Sequence, residues 1–298
     1  MNHLTQTAPS AGGQDSVSGT APILLWQAVF LGSLLAWIYF PILTRLARQW
    51  WTDPNFSHGA FVPLFSAYVM WERRGRLATI PQRPSWAGVW ILGIALIVLT
   101  VGVLGAELFM SRISFPIAIA GLVVFFLGWP YMKAILFPWA FLLLMIPIPN
   151  IVFNQITMPL QLLASKVASH SLPLLGVPVL REGNVIHLPA MALEVAEACS
   201  GIRSLLSLVT LAIIYGYLLE KRTWPRVALA VAAVPIAVIA NSFRIVGTGL
   251  LVQYWDPDKA EGFFHTFSGW LIFVVSLFML FLIHSAIVRF KPREETVE

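Results

Sequence analysis

The chain holds one cysteine, Cys199, in the stretch Glu194-Val-Ala-Glu-Ala-Cys-Ser-Gly-Ile-Arg203-Ser. One cysteine excludes an intrachain disulfide, and no CxxC or Cys/His metal pattern accompanies it. A lone cysteine is commonly a small buried hydrophobe, so its neighbours decide its role. Cys199 and Ser200 fall where the apolar run 203–219 should begin as a helix. Serine is a favoured helix cap, and the first-turn N–H groups and the helix dipole favour a nearby anion such as a thiolate. Arg203 lies four residues on, on the same helix face, and adds positive charge. Both effects lower a thiol pKa and increase its thiolate fraction. Glu197 is placed to pair with Arg203 or Arg244, or to open the helix favourably.

Two more segments carry chemistry. Arg244, in Ala240-Asn-Ser-Phe-Arg-Ile-Val-Gly-Thr248, interrupts an apolar run that starts near Pro225. An arginine at mid-span costs about 2.5–3.5 kcal/mol to insert, which marks it as functional unless it snorkels or pairs with a residue such as Glu107. Asn241 and Thr248 lie three before and four after it and share its face. His265, in Glu261-Gly-Phe-Phe-His-Thr-Phe-Ser-Gly-Trp270, precedes the last apolar run, at a pKa suited to moving protons near neutrality. Cysteine and histidine make a nucleophile–base pair, and an arginine can stabilise a tetrahedral oxyanion. His58, in Ser57-His-Gly-Ala-Phe-Val-Pro63, is a supporting group. No HExxH, nucleotide loop or GxSxG elbow competes, and no cofactor or metal is called for.

These groups need a membrane scaffold. The chain is 58% hydrophobic and 11% charged, against about 25% charge in a soluble domain, so the bilayer must act as its solvent. The expected fold is an all-α integral membrane bundle of about eight spans: roughly 23–43, 59–72, 86–105, 112–129, 131–149, 203–219, 225–250 and 268–288. The second is short and could be tilted or re-entrant. Gly93, Gly102 and Gly105 are read as helix-packing positions. Residues 1–22 read as a disordered cytoplasmic tail, 23–288 as the transmembrane domain and 289–298 as a short basic tail. The net charge of +5 forms no basic stripe with interleaved aromatics, so no nucleic-acid partner is expected.

With the N-terminus inside, 11 of the 19 basic residues fall in compact inside clusters such as Arg73, Arg74 and Arg76, the pattern that retains loops in the cytoplasm. Both termini are then cytoplasmic, and Cys199, Arg244 and His265 lie at the outer ends of spans six, seven and eight. A long outer loop, about 150–200, precedes the cysteine. Ile151–Leu172 carries Gln155, Gln161, Ser165, Lys166 and His170 among apolar residues, which suits an amphipathic interfacial helix. Val177–Leu188, with Glu182-Gly-Asn184 at its centre, reads as a small hairpin.

EACSGIRS, ANSFRIVGT and EGFFHTFSGW resemble, in order and spacing, the three signature blocks of the exosortases, most closely the exosortase A type. SHGAFVP and REGNVIHLP also look like family features, and the resemblance covers nearly the whole chain from about residue 23. It implies a membrane-embedded cysteine protease and transpeptidase of the inner membrane, with its site on the extracytoplasmic face. Cys199 would form an acyl-thioester. Arg244 would be a proton donor or orient the substrate, and His265 would stabilise the transition state or act as base. The implied partners are exported proteins with a C-terminal signal, made of a Pro-Glu-Pro motif, a span and a basic tail, together with membrane lipid and an acceptor the sequence does not name. The competing reading is a transporter or flippase using Arg244 as an anion site, against which no inverted repeat is visible. A membrane acyltransferase would need an acceptor-side His/Asp pattern that is missing.

Overall fold

A computed structural model describes residues 21–195, 202–255 and 263–289. Helix α1 runs Ala21–Thr52, and a 3₁₀ turn, Pro54–Ala60, leads into α2 (Phe61–Glu72) and α3 (Arg74–Ala78). An antiparallel pair follows, α4 (Ala87–Leu104) and α5 (Leu108–Phe126). Then come α6 (Trp129–Ala134), α7 (Leu136–Phe141), a second 3₁₀ turn (Leu142–Met145) and α8 (Asn150–Leu174). Strands β1 (Leu180–Glu182), β2 (Val185–His187) and β3 (Ala192–Glu194) precede α9 (Ile202–Leu219), α10 (Thr223–Tyr254) and α11 (Phe263–Arg289).

The surface is that of a membrane protein. Trp26, Trp37, Phe40, Leu104, Val231 and Phe278 lie exposed on helix flanks, as lipid-facing side chains do when hydrocarbon rather than water is the solvent. Among the described residues, five helices are long and apolar enough to cross a bilayer, or six if one bent pair counts as a span. The expected eight is therefore not reached by length and composition. The shortfall comes from short helices. Segment 59–72 is a 3₁₀ turn plus the 12-residue α2, and 131–149 is cut into α6, α7 and a 3₁₀ turn. Helix α9, at 18 residues, is apolar but also short.

Small residues set the tightest helix contact. A Cβ on Gly88 would collide with the backbone at Gly121 and Phe125, and one on Gly102 with the backbone nitrogen of Ser111. Gly121 meets Leu92 in the same way. Backbone approach at these points closes the α4–α5 pair without any hydrophobic drive from lipid. Gly102 packs as expected, whereas Gly93 has nothing within 4 Å and serves no contact.

Residues 150–195 form a cap. The axis of α8 turns 85° from that of Leu136–Met145, at the Pro147 and Pro149 break. Its buried positions, Thr157, Gln161, Ala164, Ser165, Ala168 and Leu172, follow one helical face. Two of the polar residues expected outside, Gln161 and Ser165, thus face inward, while Ile156, Leu162, Leu163 and Val167 face out. The hairpin explains the inversion. Ser165 Oγ donates to the Gly183 carbonyl at 3.1 Å, and Arg181 donates to the Leu162 carbonyl at 3.3 Å. Gly183 turns the β1–β2 hairpin with φ 62°, a value glycine adopts without strain. Strand β3 extends the expected hairpin to three antiparallel strands in the order β1-β2-β3.

Candidate active site

Helices α9, α10 and α11 follow one another through short connections and alternate in direction. Leu205, Leu208, Ala212, Leu229, Ala233, Ile236, Ala237 and Leu280 form their shared core. Gly216 of α9 lies over Arg226 and Leu229 of α10. Each step back along α9 is matched by a step forward along α10, so the first turn of α9 is level with about Ile239–Asn241. The guanidinium of Arg244 lies against Gly269 of α11, with Nη2 3.6 Å from where a Cβ would sit. His265 precedes Gly269 by one helical turn.

Arg244 occupies a joint. Below it is the bundle core just named. Above it, Ile245, Val246 and Val252 of the same helix pack with Ala164, Ala168 and Leu172 of α8 and with Val177, Ile186, Leu188 and Val195 of the cap. Helix α10 has 32 residues, longer than the expected 225–250. Arg244 is about 30 Å along its axis from Thr223, roughly one hydrocarbon thickness. Arg244 lies about two-thirds of the way along this helix from Thr223 to Tyr254. Asn241, one turn back on the same face, is buried. The alternative partner, Glu107, is engaged elsewhere: its carboxylate accepts from Met110 N at 2.6 Å, capping α5, and is the charge facing the buried Arg112.

Cys199 and Glu197 lie outside the described residues, and so does the His265 side chain. The chain on either side of Cys199 is fixed. Val195 is fully buried in the cap, and its N–H donates to the Asn184 carbonyl at 3.0 Å. Arg203, in the first turn of α9, donates through Nε to Asn55 Oδ1 at 3.4 Å.

Asn55 belongs to the first 3₁₀ turn, which is firmly held. Asp53 accepts from Asn55 N at 3.0 Å and caps it. Trp50 donates through Nε1 to the Met145 carbonyl at 2.9 Å and lays its indole under Gly59. Phe56 meets Phe153 of α8 with ring centroids 6.0 Å apart. Within this turn His58 is only 9% exposed. Its Nδ1 has no hydrogen-bond partner, while the Leu144 carbonyl approaches the ring. Burial holds its pKa below the ordinary imidazole value, and that carbonyl partly offsets the effect.

Sequence reasoning missed a polar cluster at the opposite end of the bundle. Tyr215 Oη is 2.8 Å from His284 Nδ1, and His284 Nε2 is 3.0 Å from Glu220 Oε1. Glu220 is 5% exposed. Beside them Tyr217 donates to Glu72 at 3.0 Å and accepts from Arg73 Nε at 2.9 Å. Arg226 donates to the Glu220 and Tyr217 carbonyls at 2.7 and 3.2 Å. Arg73, expected as a charge anchor, and Arg226 thus tie α2, α9 and α10 together. Charged residues inside apolar runs, Glu220 and His284, were the available signal. Among the described residues, no group of three or more His, Cys, Asp or Glu is placed to hold a metal ion.

The model of the transmembrane exosortase family, EpsH type, matches residues 50–282. The chain belongs to the transmembrane exosortases. The match takes in the first 3₁₀ turn, the cap, and Cys199, Arg244 and His265, and ends just before His284. No curated protein and no solved structure matches this exosortase.

Proposed function

We propose that this exosortase is a cysteine protease and transpeptidase of the inner membrane, working at its extracytoplasmic face on exported proteins that end in a Pro-Glu-Pro signal, a span and a basic tail. The observation that carries the reading is Arg244, wedged at the joint of bundle and cap against Gly269, one helical turn from His265. A cation held in place in this way is what a developing oxyanion requires.

In this reading the Cys199 thiolate attacks the carbonyl carbon at the motif. The oxygen takes negative charge, with Arg244 as its counter-charge or as the group that orients the peptide. The C–N bond then breaks, the amine leaves with a proton supplied by a site acid, and the acyl group stays on sulfur as a thioester. An incoming nucleophile (water, an amine or an envelope lipid) attacks the same carbon and releases the thiol. His265 serves as base or as transition-state stabiliser. The family membership and the helical membrane architecture support this assignment.

The test is co-expression with a signal-bearing protein and mass spectrometry of its new C-terminus. The expected result is a shortened chain whose added mass identifies the acceptor, lost entirely on Cys199→Ala. Processing that survives Cys199→Ala overturns the cysteine mechanism.

A further inference from the structure

Arg112, in the second turn of α5, has no role in the scheme above. The residue is 6% exposed. Among the described residues its guanidinium makes no hydrogen bond and no ion pair. The carboxylate that faces it, Glu107, is engaged on the α5 cap, where it accepts from Met110 N. A buried cation without a partner is strongly destabilising. An arginine keeps its charge in a protein, so it cannot escape that cost by neutralising as a lysine does. Among the described residues, the unpaired polar atoms sealed inside the fold are His58 Nδ1, Ser66 Oγ and Gln253 Oε1. The Arg112 nitrogens are not among them. The small surface the residue keeps therefore lies in part on its charged end.

The helix sets the direction of that end. Long side chains on an α-helix lean toward its N-terminus, so the guanidinium points toward the start of α5. The apolar stretch Leu108–Phe126 has 19 residues, about one hydrocarbon thickness, so its first turns lie near the headgroups. Helix α1 runs alongside in the opposite sense. Tyr39 Oη donates to Ser114 Oγ at 2.8 Å, while Trp50, near the end of α1, packs into one apolar cluster with Phe109 and Ile113. Arg45 and Arg48, exposed on the last turns of α1, thus stand at the end toward which Arg112 points. Three arginines share that end with two carboxylates, and both carboxylates are engaged as caps, Glu107 on α5 and Asp53 on the first 3₁₀ turn.

We infer that Arg112 is the centre of an oxyanion site that takes a phosphate group. A guanidinium offers a planar fork of donors that matches two phosphate oxygens at once. At the end of a membrane helix the phosphate at hand is the phosphodiester of a phospholipid headgroup. Inorganic phosphate presents the same oxygens without the acyl chains. Either gives Arg112 the counter-charge that Glu107, held on its cap, does not. The site stands apart from Arg244 and does not depend on the cysteine reading.

Thermal unfolding of the delipidated full-length protein in a neutral detergent tests the site. The additions are inorganic phosphate, with chloride at equal ionic strength as reference, and phosphatidylglycerol, with phosphatidylcholine as reference. The parent is compared with Arg112→Met, Arg112→Gln and the double change Arg45→Gln, Arg48→Gln. For the parent, the midpoint should rise by about 5 °C with phosphate or with phosphatidylglycerol and climb with the logarithm of its concentration. Both Arg112 variants should lose that rise, and the double variant should keep most of it. Without additives Arg112→Met should unfold no lower than the parent, since an apolar chain replaces an unpaired buried charge. A rise with phosphatidylglycerol alone identifies a lipid headgroup as the source, and a rise with inorganic phosphate shows that the oxyanion suffices. A parent that responds to neither overturns the site, whatever the variants do. So does a response that survives in either folded Arg112 variant, or one lost only in the double variant.

Discussion

At the scale of single residues, Arg244 is where charge and position matter most. It lies against a glycine at the boundary of two cores, and a planar guanidinium there cannot be replaced by a compact ammonium without losing its fork of donors. Arg244→Lys should lower the rate of signal processing about 100-fold or more while leaving the protein folded, as measured by conversion of a co-expressed substrate and by elution profile. Arg203→Ala removes a long 3.4 Å hydrogen bond on an exposed side chain. It should change stability little, and any effect should appear in the Cys199 labelling rate rather than in melting temperature. Arg244 and Asn241 were legible in the sequence because polarity inside an apolar run stands out against the cost of burying it. His58 was legible only as a supporting residue, since its burial is set in part by Leu144, distant in the chain.

Secondary-structure elements divided into those the pattern could reveal and those it could not. Helix α8 and the hairpin followed from local signals, the apolar spacing of 151–172 and the Glu182-Gly183-Asn184 turn. The inward aim of Ser165 did not, because it depends on a hydrogen bond to the hairpin at Gly183, which hydropathy does not register. The first 3₁₀ turn was hidden within an apparently apolar segment, and the broken helices of 129–145 looked like one span because hydropathy does not register a change of axis. Packing gives a direct check. Gly88→Leu or Gly121→Leu should force α4 and α5 apart and lower the yield of folded protein sharply, whereas Gly93→Ala, facing open space, should leave the melting temperature within a degree or two. At the far end, His284→Ala should lower thermal stability by about 2 kcal/mol, since the buried Glu220 carboxylate loses its hydrogen bond to His284. The double change Glu220→Gln, His284→Ala should recover part of that loss.

For the whole molecule, the orientation argued from clustered basic residues is open to test. In a Cys199→Ala background, a cysteine placed at Gly183 should react with a membrane-impermeant maleimide in intact spheroplasts. One placed at Gly75, in the Arg73–Arg76 cluster, should react only after permeabilisation. The opposite pattern would put the cap, and the site with it, on the cytoplasmic side. The helical, membrane-embedded class was legible from composition alone, because a chain so poor in charge has no aqueous alternative. The number of crossings was not, because hydropathy counts apolar stretches while the fold joins short ones end to end.

One unbroken rod, α10, serves both the bundle core and the cap core, with Arg244 between them. A lid hinged on that rod could not lift away without carrying the cation along, and the charge would then leave the neighbourhood of Gly269. A polypeptide that reached Arg244 while the cap stayed in place would therefore have to approach along the helices from the lipid side, past a post common to both cores.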